Sequence, residues 1–220
     1  MSDDPAATLL LLLRLTAFAP EERIAARLGW TSAEVTQHTS QAEQSGWIRH
    51  RDGMAAGWSL TPEGRRIGAE RLRAELDAVG AESQVQACYQ GFLPLNAELL
   101  AVCTDWQTVV VAGEHVPNDH ADPERDAAVL ERLAVLHRRA RPVLDALADA
   151  LDRFEGYVPR LDRAHGHVLA GRTEWITKPT VDSYHGIWFE LHEHLLVTLG
   201  RERSTEPVPE YVPTLNGDTA

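Results

Sequence analysis

The residues most able to do chemistry gather near the end of the chain: His185, His192 and His194, with Glu190 and Glu193 between them. Imidazoles and carboxylates at such spacing suit a metal ion or an acid–base pair, so helical geometry decides what they can share. At about 100° per residue, His185, Trp188, Phe189, His192, Leu196 and Leu199 fall on one apolar stripe, and Glu190 and His194 on the opposite face. His185 and His192 stand about 10 Å apart along the axis, too far to hold one ion. Glu190 and His194 have i, i+4 spacing, but their face reads as solvated and an ion pair accounts for them, so no metal site is expected. The stripe is the better candidate. His185, Trp188 and His192 project from it, and Asn96, Asp105 and Trp106 lie on the inward side of an earlier helical stretch. Buried polar groups need partners, so these six either satisfy one another or line a small-molecule pocket between two helices. The pocket is the expectation taken forward. Asn118, Asp119, His120 and Asp122 read as a helix cap before Glu124.

Catalytic signatures are missing from the chain. It carries no GxSxG elbow, phosphate-cradling glycine loop, HExxH or CxxC, so no catalytic residue and no cofactor is assigned. An enzyme reading has only pairs such as His192 with Asp105 to draw on. Cys88 and Cys103 have neither metal-ligand nor disulfide-framework spacing and suit a reducing cytoplasm.

A second polar set lies near the start: Thr31, Ser32, Thr36, Gln37, His38, Ser40 and Gln41, followed by Arg49 and Arg51. A glutamine amide can read adenine bidentately, hydroxyls can bind phosphate, and arginine serves both phosphate and guanine. The elements that position them are legible. Ile24, Ala25 and Leu28 recur at helical spacing and Gly29 ends that helix. Thr31 or Ser32 caps the next helix, with Glu34 in capping-box register to Thr31, and Gly46 closes it. Trp47-Ile48-Arg49 and Gly57-Trp58-Ser59-Leu60 flank Asp52-Gly53 as a hairpin, whose turn continues through Met54-Ala55-Ala56. Thr61-Pro62-Glu63-Gly64-Arg65-Arg66 opens a further helix.

Helix, tight turn, helix, hairpin and helix is the plan of a winged helix-turn-helix. Over about residues 8–78 the chain resembles the MarR-type transcription regulators, most specifically in its LxxLGWTSAEV-like turn and in Leu60-Thr61-Pro62-Glu63-Gly64-Arg65. The resemblance implies a homodimer on a pseudo-palindromic operator of double-stranded DNA, with recognition helices entering successive major grooves. Leu9–Leu13 reads as the buried first helix of the winged domain, a helix that in regulators of this kind often packs at a dimer interface. The chain departs from that pattern in length, because some 140 residues follow the winged segment.

Charge limits the partners. The whole chain carries a formal −12. Residues 1–80 hold nine basic and eleven acidic side chains, a net of −2, and the remainder holds twelve and twenty-two. The later part is therefore no partner for nucleic acid or an anionic membrane, and the earlier part has no strong steering field. The Leu9–Leu13 run is too short to span a bilayer and has the wrong flanks for a signal peptide.

Beyond Gly80 the pattern is helical with almost no strand signal. Helices are expected over about 82–106, kinked at Pro94, over 126–151, interrupted at Pro142, and over 156–170 and 182–199. The fold class is mainly α: a winged helix-turn-helix domain (1–79), a helical bundle for ligand sensing or dimerisation (80–203) and an extended tail (204–220). The function expected is a cytoplasmic DNA-binding transcription regulator whose bundle binds a small-molecule effector, dimerises, or both. The alternatives are a winged-helix scaffold without DNA binding that carries a binding or catalytic pocket, and a protein-interaction adaptor.

Overall fold

The structure, a computed structural model, describes residues 4–53 and 56–201. The expected tail and the tip of the first hairpin at Met54 and Ala55 lie outside these. The fold is mainly helical. The first part runs α1 (Pro5–Thr16), α2 (Glu21–Leu28), α3 (Ser32–Gln44), β1 (Ile48–Arg51), β2 (Gly57–Leu60) and α4 (Pro62–Val79). The strands pair antiparallel, Ile48 opposite Leu60 and Arg51 opposite Gly57, and Ala19 adds an isolated bridge to Trp58.

The local chemistry that shapes this part is explicit. Gly29 is left-handed at φ 68° and ends α2. Thr31 and Glu34 form a complete capping box on α3. Thr61 binds this region together: its hydroxyl accepts from the Gly64 N–H (3.0 Å) and donates to the Gly46 carbonyl (2.7 Å). Gly64 has a packing reason, since a Cβ there would lie 1.9 Å from the Trp47 carbonyl oxygen. Gly57 has another, because a Cβ would strike the Phe18 ring and the Ala19 carbonyl at the bridge to Trp58.

The second part begins with α5 (Glu82–Gln107), a hairpin of β3 (Thr108–Val111) and β4 (Glu114–Pro117), and α6 (Pro123–Ala150). A 3₁₀ turn (Asp152–Phe154), α7 (Tyr157–Leu169), the short α8 (Glu174–Thr177) and α9 (Tyr184–Thr198) follow. The β3–β4 hairpin corrects the expectation of a strand-free region. Its turn, Ala112-Gly113, takes positive φ at both residues (53° and 87°). That is the backbone of a tight hairpin turn, with alanine at a position that usually carries asparagine or glycine. Both long helices run through their prolines, so α6 is not interrupted at Pro142 and begins at Pro123, three residues before the expected start.

Among the described residues, two hydrophobic clusters form the core. One gathers Leu9, Leu10, Leu12, Leu13, Ile24, Val35, Ile48, Trp58 and Leu60; the other spans α5, α6, α7 and α9 and reaches back to Leu76 of α4. Helix α9 joins the parts, packing on α5, α7 and α8 and also on α1 and α4. Leu9–Leu13 are accordingly buried within the chain itself, against α2, α3, α4, β2 and α9. This agrees with the expected buried first helix, and α9 is one of the elements packed on it. Among the described residues no helix is long and apolar enough to cross a membrane.

Candidate functional site

Helix α3 turns Val35, Thr39 and Ala42 inward, at positions three and four apart, and leaves its other side in water. Thr31, Ser32, Glu34, Thr36, Gln37 and Gln41 are exposed; His38 and Ser40 are half-buried. Several of the expected DNA-contacting groups already have local partners. The Thr31 hydroxyl and backbone N–H both donate to Glu34 at 2.8 Å, which holds that carboxyl below its usual range. The Thr36 hydroxyl donates back to the Ser32 carbonyl at 3.0 Å, and the His38 ring packs on Trp30 at 4.7 Å. No hydrogen bond or ion pair among the described residues engages the side chains of Ser32, Gln37, Ser40, Gln41 or Arg51. Arg49 and Arg51 are exposed on β1, and among the described residues Arg49 reaches Ser59 alone, at 3.5 Å. The outer face of α3 thus presents amides and hydroxyls to water, and β1 presents two guanidinium groups.

The six bundle residues expected to share a pocket divide into separate environments. The buried Trp188 indole donates to the buried Asn96 carbonyl oxygen at 3.1 Å. Phe92 stacks on Trp188 at 4.9 Å and packs against His192 at 5.1 Å. Asn96, Trp188 and His192 are therefore brought together as a packed cluster. His185 is half-buried near the start of α9, and burial pushes its pKa down. Asp105 and Trp106 lie over two turns further along α5. There Asp105 pairs with Arg132 at 2.6 Å, and Trp106 packs on His120 at 4.4 Å.

The loop cluster does more than cap a helix. Asp122 accepts from the Glu124 and Arg125 N–H groups, as the sequence reading expects. Asn118 ties the hairpin down, donating to the Trp106 carbonyl and to Asp126, both at 3.1 Å. His120 pairs with Asp126 at 2.9 Å.

The other face of α9 overturns the solvated reading. His194 is 1% exposed. Glu190 is closed in by two arginines, Arg27 of α2 (2.6 Å) and Arg160 of α7 (2.8 Å), and does not pair with His194. Arg160 also holds Asp182 at 2.6 Å, and Arg14 of α1 holds Glu193 at 2.9 Å. The physical reason is topological: α9 is central, so the side opposite its apolar stripe meets α1, α4 and α7 instead of water. Arg153 anchors the same junction, pairing with Glu75 of α4 and donating to His194 Nε2 and the Thr198 hydroxyl, each at 3.1 Å. Burial, aided by Arg153, holds the His194 pKa well below its ordinary value. Periodicity within α9 alone carried no sign of this junction.

No protein family, curated protein or solved structure matches the chain.

Proposed function

We propose that the protein is a DNA-binding transcription regulator built on a winged helix-turn-helix, with α3 as the recognition helix and β1–β2 as the wing. The observation that carries this reading is the outer face of α3. A thirteen-residue helix, rigidly capped and pinned by Val35, Thr39 and Ala42, presents Gln37, Ser40 and Gln41 without side-chain partners among the described residues, and β1, which packs on α3, exposes Arg49 and Arg51. A rigid element with uncommitted amides is suited to base edges, and flanking arginines are suited to phosphates. The order of elements from α1 to α4 and the resemblance to MarR-type regulators support the same reading. The partners proposed with it are double-stranded DNA, a small-molecule effector and a second copy of the chain. In a dimer the two α3 helices would stand about 34 Å apart.

Salt dependence tests the docking surface. With two arginines on the wing flank, we expect about two to four phosphate contacts per subunit and a correspondingly shallow slope of log affinity against log salt. Fluorescence anisotropy with the chain's own upstream DNA, titrated across salt, measures it. A slope near that of a strongly basic repressor would place the docking surface elsewhere.

A further inference from the structure

A groove of about 490 Å³ lies where the two parts of the chain meet. That volume falls within the roughly 300–1,000 Å³ typical of small-molecule sites. Thr8, Leu11, Leu12 and Leu15 of α1 form an apolar wall; the 3₁₀ turn and the start of α7 form the other; Tyr157 and His194 line its buried part. None of the six bundle residues expected from sequence to bind a ligand belongs to this lining.

The hydrogen-bond state of the groove follows from donor chemistry. Arginine only donates, so the 3.1 Å contact from Arg153 Nε makes His194 Nε2 an acceptor. A neutral His194 then carries its hydrogen on Nδ1 and donates it to the Tyr157 hydroxyl oxygen, 3.1 Å away. The hydroxyl's own hydrogen is left over, and no acceptor for it is found among the described residues. Burial pushes the Tyr157 pKa up, so that hydrogen stays in place at neutral pH.

Charge then selects the ligand. Arg27, Arg153 and Arg160 line the groove, but each is already matched: Arg27 by Glu190, Arg153 by Glu75, and Arg160 by Asp182 and Glu190. Asp152 and Glu155, both exposed, add two carboxylates to the lining. An anion therefore meets no uncompensated positive charge, and a cation finds no desolvated carboxylate.

We propose that this groove is the effector site, and that it takes an uncharged, largely apolar molecule whose single carbonyl-type oxygen accepts the Tyr157 hydrogen while its body packs on Leu11, Leu12 and Leu15. The inference rests on the effector half of the proposed function. It also supplies a path, because the groove is lined by α1 and by Arg27 of α2, the helix preceding α3.

The test uses Prodan, an uncharged naphthyl ketone whose emission shifts to the blue on leaving water, titrated into the full chain without DNA. Its comparators are the naphthoate carrying a carboxylate in place of the ketone, and Tyr157→Phe and Leu15→Trp variants checked for unchanged melting. Saturable Prodan binding is expected, about fivefold weaker in Tyr157→Phe from the lost hydrogen bond, and at least about tenfold weaker in Leu15→Trp, whose indole fills the groove. The naphthoate is expected to bind at least about tenfold more weakly than Prodan. Should Tyr157→Phe lose its fold, Leu15→Trp and the naphthoate still decide the matter. Binding unaffected by Leu15→Trp, or no binding, overturns the site; naphthoate binding as tightly as Prodan, or a folded Tyr157→Phe with unchanged affinity, overturns the ligand class. Prodan binding as expected in a chain that, in a separate mobility assay, never binds its upstream DNA would instead sink the DNA reading alone.

Discussion

The outer face of α3 and the junction face of α9 are both polar, yet their groups are used in opposite ways. On α3, exposed Gln37 and Gln41 and half-buried Ser40, like exposed Arg51 on β1, have no side-chain partner among the described residues. On α9, Glu190 is shared by two arginines and His194 is clamped between Arg153 and Tyr157. Removing a partner from a buried ionic pair strands a charge, whereas trimming an exposed amide strands nothing. The contrast teaches that a cluster of chemically able residues marks function only where its donors and acceptors are unspent. The junction, richer in titratable groups, spends most of them on holding α9 to α1, α2 and α7.

Breaking the junction has the largest expected effect. Glu190→Ala leaves Arg27 without its bidentate partner and Arg160 with Asp182 alone. Both arginines are largely shielded, with side chains 25% and 16% exposed, so urea unfolding is expected to show a loss of about 3 kcal/mol. A loss near zero would mean that the junction is no more committed than the α3 face. Next comes the bundle: Asn96→Ala removes the acceptor from the buried Trp188 indole, for an expected loss of about 2 kcal/mol. An unchanged unfolding midpoint would show that another acceptor takes over the indole.

Acid sharpens the contrast further. His194, His137, His165 and His185 all have folded pKa values below the ordinary 6.5, chiefly through burial. Above 6.5 the imidazoles are neutral in both states and cost nothing. As pH falls below 6.5 the unfolded chain takes up protons that the native state refuses, so stability declines, by up to about 1.4 kcal/mol per pH unit for each proton refused. Melting temperature is expected to drop between about pH 7 and pH 5. His194→Gln is expected to shallow that drop; an unchanged pH profile in this variant would show that His194 is protonated in the native state.

The smallest expected effect on stability lies at α3 itself, where Gln37→Ala with Gln41→Ala is expected to shift unfolding by less than about 0.5 kcal/mol. A larger loss would show that these amides are held by the fold.

How much of this was legible in the sequence depended on range. The α2–α3–hairpin–α4 order was written in local signals: Gly29 at φ 68°, the Thr31–Glu34 capping box, and Thr61 with Gly64. Each acts within a few residues, so the polar face of α3 was readable too. The β3–β4 hairpin was missed because its strands are four residues each and its turn opens with alanine in place of a strong turn former. The junction was missed for a different reason. Arg27 and Glu190, or Arg153 and Glu75, lie far apart in sequence, and no periodicity within α9 announces that α1 and α4 will cover its polar side. Asn96 and Trp188 were correctly placed opposite each other, since both sit on apolar stripes of facing helices. Asp105 and Trp106 were grouped with them on stripe position alone, which ignores distance along the axis.

The claim that the open face of α3 reads DNA is tested most directly by an electrophoretic mobility assay with the chain's own upstream region at low salt. Wild type is expected to bind it in preference to scrambled DNA. The folded Gln37→Ala, Gln41→Ala double variant is expected to lose about 1–3 kcal/mol for each bidentate contact removed, with non-specific affinity little changed. Wild type that never shifts this DNA, or a double variant that binds it as tightly as wild type, would contradict the assignment of α3 as the reading helix.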